Sequence, residues 1–389
     1  MRSSALSPHR RWTLRFLALT LSLGLAEVLS YGAGLTLERR GVYYVPNLSH
    51  VGDYLTQRDP ELGWPSKPLD AKRFNREGAR HSPSFPDVDM PAAVSLYGDS
   101  FTFSDEVGHD EAWGDVLAKK IGQRVSNFGV PGYGTDQALL RFEQNLRSQD
   151  KAGVVLMCHL TENILRNVNQ LRDLLYPGTS CGFKPRFMLG DNGELRLIPV
   201  PTTERHSLEA QLTEPESHLT HEFFLPGGPA GIRRLTFPFT WSICRALGHF
   251  RVEAKLRSEP GHAAFYRPDH PADGLAVTAA ILRRFYESAS KAHRKALVLI
   301  IPTGRDLEWY QTSHRWPHEP LLDILTRMEV PVLDLAPRLL ERMSSRPLAD
   351  FYSHGRLGGH PNAQGYALIA DIVHEHLTAA RLLAPASPK

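Results

Sequence analysis

The stretch Ala92-Ala93-Val94-Ser95-Leu96-Tyr97-Gly98-Asp99-Ser100-Phe101-Thr102 decides the reading of the fold. A short apolar run stops at a glycine, and an acid, a hydroxyl and a fresh start follow. A run of that length, bounded by a turn signal, reads as a buried strand over residues 92–97. The pattern then repeats. Trp113, Val116, Leu117 and Ile121 share one face of a helix over residues 111–121, and residues 124–128 are strand-like. Residues 136–146 are helical, and residues 153–158 (GVVLMC) form another continuous apolar strand. Apolar strands alternating with amphipathic helices predict an α/β fold. Its sheet is doubly wound, mostly parallel and buried on both faces.

Working outward, the alternation resumes late in the chain. A helix is expected over 276–291, a strand over 296–301 (ALVLII), a helix over 321–328, a strand over 330–333 and a closing helix over 363–377. Residues 169–271 break the rhythm with prolines, glycines, aromatics and a hairpin-like piece at 186–198. That is too long for a loop in a compact domain, so it reads as an inserted subdomain. It is expected over the carboxyl ends of the strands, where open α/β sheets bind ligands. Residues 41–91, rich in Pro, Asp and Arg, read as an irregular lead-in to one α/β domain over 92–380.

The first forty residues are of another kind. Arg2, His9, Arg10, Arg11 and Arg15 precede an apolar stretch over 16–35, broken only by Glu27 and small residues. Twenty such residues span a bilayer core of about 30 Å as a helix. The basic flank predicts a cytoplasmic N-terminus, with the rest of the chain periplasmic or extracellular. A cleaved signal peptide is the alternative, which would leave a secreted protein.

Composition excludes several classes. Among 389 residues, 45 Lys and Arg face 42 Asp and Glu, a net charge of +3 without long basic runs. Nucleic acid is therefore not the expected partner. The three cysteines, Cys158, Cys181 and Cys244, show no zinc spacing. Cys158 reads as a buried thiol, and Cys181 and Cys244 pair only in an oxidising compartment. His314 and His318 stand four apart, but Pro317 between them opposes a helical metal site. No metal and no organic cofactor is expected. The aromatics Phe223, Phe224, Phe237, Phe239 and Trp241 are expected to pack the insertion, with a sugar-binding cleft as the alternative.

Four short stretches carry chemistry. Ser100 follows a strand and a glycine, so its hydroxyl can reach the carboxyl edge of the sheet. The run Asn127-Phe128-Gly129-Val130-Pro131-Gly132-Tyr133-Gly134-Thr135 lets backbone approach a ligand, and Gly132 N–H can serve an oxyanion. After the third strand comes His159-Leu160-Thr161-Glu162-Asn163, where Asn163 can donate its side-chain amide to a developing oxyanion. Near the end, Gly359-His360-Pro361-Asn362 opens the last helix, and His360 can act as a general base.

Taken together and in this order, the four stretches resemble the GDSL/SGNH hydrolase family over most of residues 92–377. The resemblance implies Ser100 as nucleophile and His360 as base. It further implies an oxyanion hole from Ser100 N–H, Gly132 N–H and the Asn163 side chain. Two positions depart from the family pattern. The third stretch lacks the usual Gly-x-Asn-Asp, and Leu357 stands where the acid three residues before the histidine belongs. Asp350 is the first candidate for that acid and Asp334 the second. The expected function is a membrane-anchored serine esterase that hydrolyses or transfers an acyl group on a cell-envelope or extracellular carbohydrate. The alternative is a degenerate module that binds glycan or a protein partner without catalysis.

Overall fold

A computed structural model describes residues 7–64, 70–148, 150–176, 182–201 and 204–383. Its strands are β1 (Val94–Tyr97), β2 (Val125–Asn127), β3 (Val154–Leu160), β4 (Arg186–Leu189), β5 (Leu195–Ile198), β6 (Lys295–Ile301) and β7 (Val332–Asp334). Five of them form one sheet in the order β2-β1-β3-β6-β7, with every pairing parallel. β1 lies between β2 and β3, so the chain reverses its direction of winding beside the end of β1. That reversal opens a crevice at the carboxyl ends of β1 and β3.

Side chains alternate across this sheet as a two-residue period demands. Val94, Leu96, Leu156, Cys158, Leu297 and Leu299 face one buried cluster with Trp113, Leu117, Tyr366 and Ile369. Tyr97, Val155, Met157, Val298 and Ile300 face the other, with Leu139, Phe142, Ile281 and Phe285. The helices Trp113–Ile121 and Ala363–Ala379 thus cover one face, and Thr135–Ser148 and Gly274–Lys291 cover the other. The doubly wound α/β architecture read from the sequence is the architecture observed. The last strand starts two residues later than its apolar pattern, because Glu329 (φ 55°) turns the chain just before Pro331.

Between β3 and β6, the β4–β5 pair is the antiparallel hairpin expected there, closed around Gly193 (φ 76°). Phe187, Phe224 and Phe265 from this region join the Phe142–Phe285 cluster. The aromatic group divides. Phe223 and Phe224 pack inside as expected, whereas Phe237 and Trp241 stand exposed. The expected pairing of Cys181 falls outside the described residues.

The lead-in is more structured than its composition suggests. It holds the Val51–Gln57 helix, and Arg80 donates to four carbonyls, those of Phe103, Ser104, Val107 and Gly108. Ahead of it, one 32-residue helix runs from Pro8 to Arg39, long and apolar enough to cross a membrane. Its carboxyl half packs against the Leu235–Ala246 region, and Leu37 joins a small cluster with Val42, Tyr43 and Val252.

Candidate active site

β1 delivers Asp99 and Ser100 to the crevice, and the short helix Ser100–Phe103 starts there. Asp99 caps that helix by accepting from Phe101 N at 2.9 Å. Asn127, at the end of β2, braces the same helix from below. Its Nδ2 donates to Thr102 O at 2.7 Å, while its Oδ1 accepts from Gly129 N at 3.0 Å. The short helix that carries Ser100 is therefore held by side chains at the ends of two strands.

His360 arrives from the far end of the chain. Its Nε2 lies 2.8 Å from Ser100 Oγ, across 260 residues of sequence. On the other side, Nδ1 lies 3.1 Å from Glu106 Oε1. Burial opposes the charge of that carboxyl, yet hydrogen bonds from His360 and Ser353 outweigh it, so Glu106 sits below the usual carboxylate range. An ionised Glu106 only accepts, so Nδ1 carries the proton and Nε2 is free to accept from Ser100. The result is a serine, an oriented imidazole and a carboxylate in one hydrogen-bonded row.

Two expectations about the acid are corrected. Asp350 points away to Arg346, at 3.2 and 3.3 Å, and Asp334 faces His318 at 3.3 Å. Glu106 faces His360 Nδ1 instead, six residues after Ser100 on a loop with left-handed backbone at Ser104 and Glu106 (both φ 69°). Arg80 clamps that loop through its four carbonyls, and Arg73 pairs with the adjacent Asp105. The pair of acids Asp105-Glu106 was the one signal in sequence, and nothing in their spacing says they meet residue 360.

The expected oxyanion donors are arranged differently from the resemblance. Asn163 is fully buried behind the cleft wall, with Nδ2 on Asp99 Oδ2 at 3.1 Å. Gly132 (φ 88°) lies under the Trp64 ring, which a side chain at that position would strike. It lines a small separate cavity with Trp64 and Arg172. The residue that reaches the cleft beside Ser100 from this side is Glu162, accepting from Tyr176, together with Arg166. Arg166 donates to Asp99 at 3.3 Å and to Tyr133 O at 3.0 Å, and its buried Nε has no partner among the described residues. Burial disfavours its charge, but Tyr176, Asp99 and Glu162 overcome this and raise its pKa.

Above Ser100 lies an open cleft of about 820 Å³. Arg251, Lys255 and His262 from the insertion form one wall, and Arg305, Glu308 and Trp309 from the helix after β6 form the other. His262 is itself held by Asp306, 2.9 Å away, which also accepts from Thr161 Oγ1 at 2.6 Å.

No family model matches this sequence, and no curated protein matches it. Among solved structures, the chain is similar to G-D-S-L lipolytic proteins and esterases. A lipolytic protein of the G-D-S-L family from Desulfitobacterium hafniense is 12% identical, with 72% of this chain and 97% of that one covered and a TM-score of 0.34. An esterase from Pseudoalteromonas is 10% identical, covering 74% and 97% with a TM-score of 0.35. An acetylxylan esterase from Geobacillus stearothermophilus, solved as a catalytic mutant, is 12% identical, covering 74% and 95% with a TM-score of 0.36.

Proposed function

We propose that this chain is a serine ester hydrolase of the GDSL/SGNH type, held at a membrane by its N-terminal helix. The observation that carries the reading is the row Ser100 Oγ–His360 Nε2, 2.8 Å, with Glu106 on Nδ1 at 3.1 Å. These residues stand 260 and 254 positions apart, and a packed core gives them no reason to meet. Ser100 attacks the ester carbonyl as His360 Nε2 takes its proton, and Glu106 steadies the imidazolium that forms. The alcohol leaves with that proton, and water, activated by the same nitrogen, releases the acid from the acyl-serine. Ser100 N–H, at the start of its short helix, is the first oxyanion donor. Arg166 supplies positive charge beside it, and Gly132 and Asn163 hold the surrounding frame.

The cleft wall favours an ester of a hydroxyl-rich alcohol over a long fatty chain. Arg251, Lys255, Arg305 and Glu308 offer hydrogen-bonding groups, and Trp309 offers a flat ring on which a sugar face can stack. An acylated carbohydrate outside the cytoplasm is the substrate class proposed, with an acceptor hydroxyl in place of water as the transferase variant. A fluorophosphonate probe tests the mechanism directly. Wild type is expected to be labelled on Ser100 and to hydrolyse a small acetyl ester, and Ser100→Ala is expected to lose both. An unlabelled wild-type chain that still binds glycan makes this a binding module and ends the hydrolase reading.

A further inference from the structure

The described surface has a bare apolar ridge that the hydrolase chemistry does not use. In the insertion, Phe237 is 72% exposed and Trp241 63% exposed, with Leu247 exposed just beyond. Soluble domains seldom leave a phenylalanine and a tryptophan four residues apart both bare to water. The ridge belongs to the Phe239–Ala246 helix and its approach, and this is where the N-terminal helix docks. Glu27, inside the apolar stretch of that helix, accepts from Phe239 N at 2.5 Å, from Thr240 N at 3.2 Å and from Thr240 Oγ1. The Tyr31 and Phe239 rings lie 4.8 Å apart. Gly34 lets Leu235 approach so closely that a side-chain carbon at Gly34 would sit 2.6 Å from Leu235 Cδ1.

Depth follows from helix geometry. Trp12 and Arg15 mark the inner boundary of a spanning helix, as an aromatic and a cation flanking an apolar run do. Glu27 lies twelve residues further on, about 18 Å at the rise of an α-helix. A hydrocarbon core is about 30 Å thick. Glu27 therefore falls within the outer half of the core, where an ionised carboxylate survives only if it is satisfied. Its hydrogen-bond donors come from the start of the Phe239–Ala246 helix, which must then reach the same depth. Trp241 is bare on that helix, as Leu21, Leu25, Val28 and Leu29 are on the N-terminal helix to which it is hydrogen-bonded. One occupant covers both surfaces, and it is lipid.

We propose that the segment 235–247 is a second membrane contact, sunk into the outer leaflet beside the N-terminal helix. This rests on the reading of that helix as a retained anchor. The consequence for the active site is direct, because the next helix, Phe250–Leu256, presents Arg251 and Lys255 to the cleft. The cleft is thereby fixed in height above the membrane, within reach of esters displayed at its surface.

Tryptophan quenching tests the proposal on the full-length chain in phosphatidylcholine vesicles with brominated acyl chains. Of six tryptophans, Trp12 and Trp241 are the two more than half exposed. Trp241→Phe, a substitution that keeps an apolar ring, is expected to remove about half of the quenching caused by bromolipid. Aqueous iodide is expected to quench wild type and Trp241→Phe alike. If iodide quenches Trp241 and bromolipid does not, the segment lies in water and the proposal fails while the anchor stands. Shielding from both quenchers, as a protein partner would give, also overturns it. The intact mass of the reconstituted chain separates the two readings, since a chain lacking the N-terminal helix refutes the anchor itself.

Discussion

Glu106 shows how one side chain decides a site. An imidazole with nothing on Nδ1 turns freely and samples the wrong tautomer, and the carboxylate here prevents both. Glu106→Gln keeps the size of the side chain but loses the charge that holds the proton on Nδ1. It is expected to lower kcat for a small acetyl ester by roughly tenfold to a thousandfold, with KM little changed. Asp350→Asn, which disturbs only the pair with Arg346, is expected to stay within about twofold of wild type. Steady-state kinetics on the two variants side by side checks this, and the reverse order would return the role to Asp350. In sequence, Ser100 and His360 were legible because each stands at an element boundary in a recognisable run. Glu106 was not, because its role depends on where a loop closes and that run has no periodicity.

At the level of elements, the loop that carries Glu106 is held from outside the sheet. The Arg80 guanidinium is buried against the loop and donates to four carbonyls, with the Phe103 ring 4.4 Å from its carbon. Burial lowers its pKa to about 10, which leaves it charged at neutral pH. Arg80→Met removes the donors and leaves buried carbonyls unpaired, a loss of about 3 kcal/mol or more. A lower urea midpoint is expected, together with a drop in kcat that resembles Glu106→Gln because the loop no longer holds its carboxylate in place. Arg80→Lys keeps the charge and a single donor nitrogen but loses the planar fork that reaches four carbonyls, and is expected to fall between wild type and Arg80→Met. Loss of stability with kcat unchanged would show that Arg80 only fastens the fold. The lead-in 41–91 read as irregular because its work is done by single polar side chains, which leave no pattern of alternation.

At the scale of the whole molecule, a buried ion pair ties the insertion to the carboxyl end of the sheet. His262 comes from the insertion, Asp306 from the helix after β6, and Thr161 from the end of β3. Burial disfavours both charges. Asp306 nevertheless raises the pKa of His262 above 6.5, and His262 with Thr161 brings Asp306 down to about 2. A histidine with a raised pKa contributes stability that is complete below its unfolded value and fades as pH climbs through the folded one. An aspartate with a depressed pKa contributes above 3.8 and loses this only as pH falls toward 2. The pair therefore works fully between about pH 4 and 6.5 and weakens above that. Urea unfolding at pH 6 and pH 9 is expected to show wild type losing more stability on alkalinisation than His262→Gln. Equal losses would remove the pair from the account. Breaking it is expected to cost about 3 kcal/mol at pH 6, since the remaining charge stays buried.

The sequence by itself determined the α/β sheet, because strands buried on both faces must be continuously apolar and their covering helices must be striped. It also determined the long apolar N-terminal helix and singled out Ser100 and His360, which stand where local pattern changes and meet in the fold. The tertiary structure alone decided which carboxylate meets His360, that Asn163 turns to Asp99, and that Arg166 and Glu162 line the same cleft as Ser100. These are contacts between loops and element ends far apart in the chain. Periodicity records which face of an element is buried, and it is silent about which polar groups the closed fold then brings within 3 Å of one another.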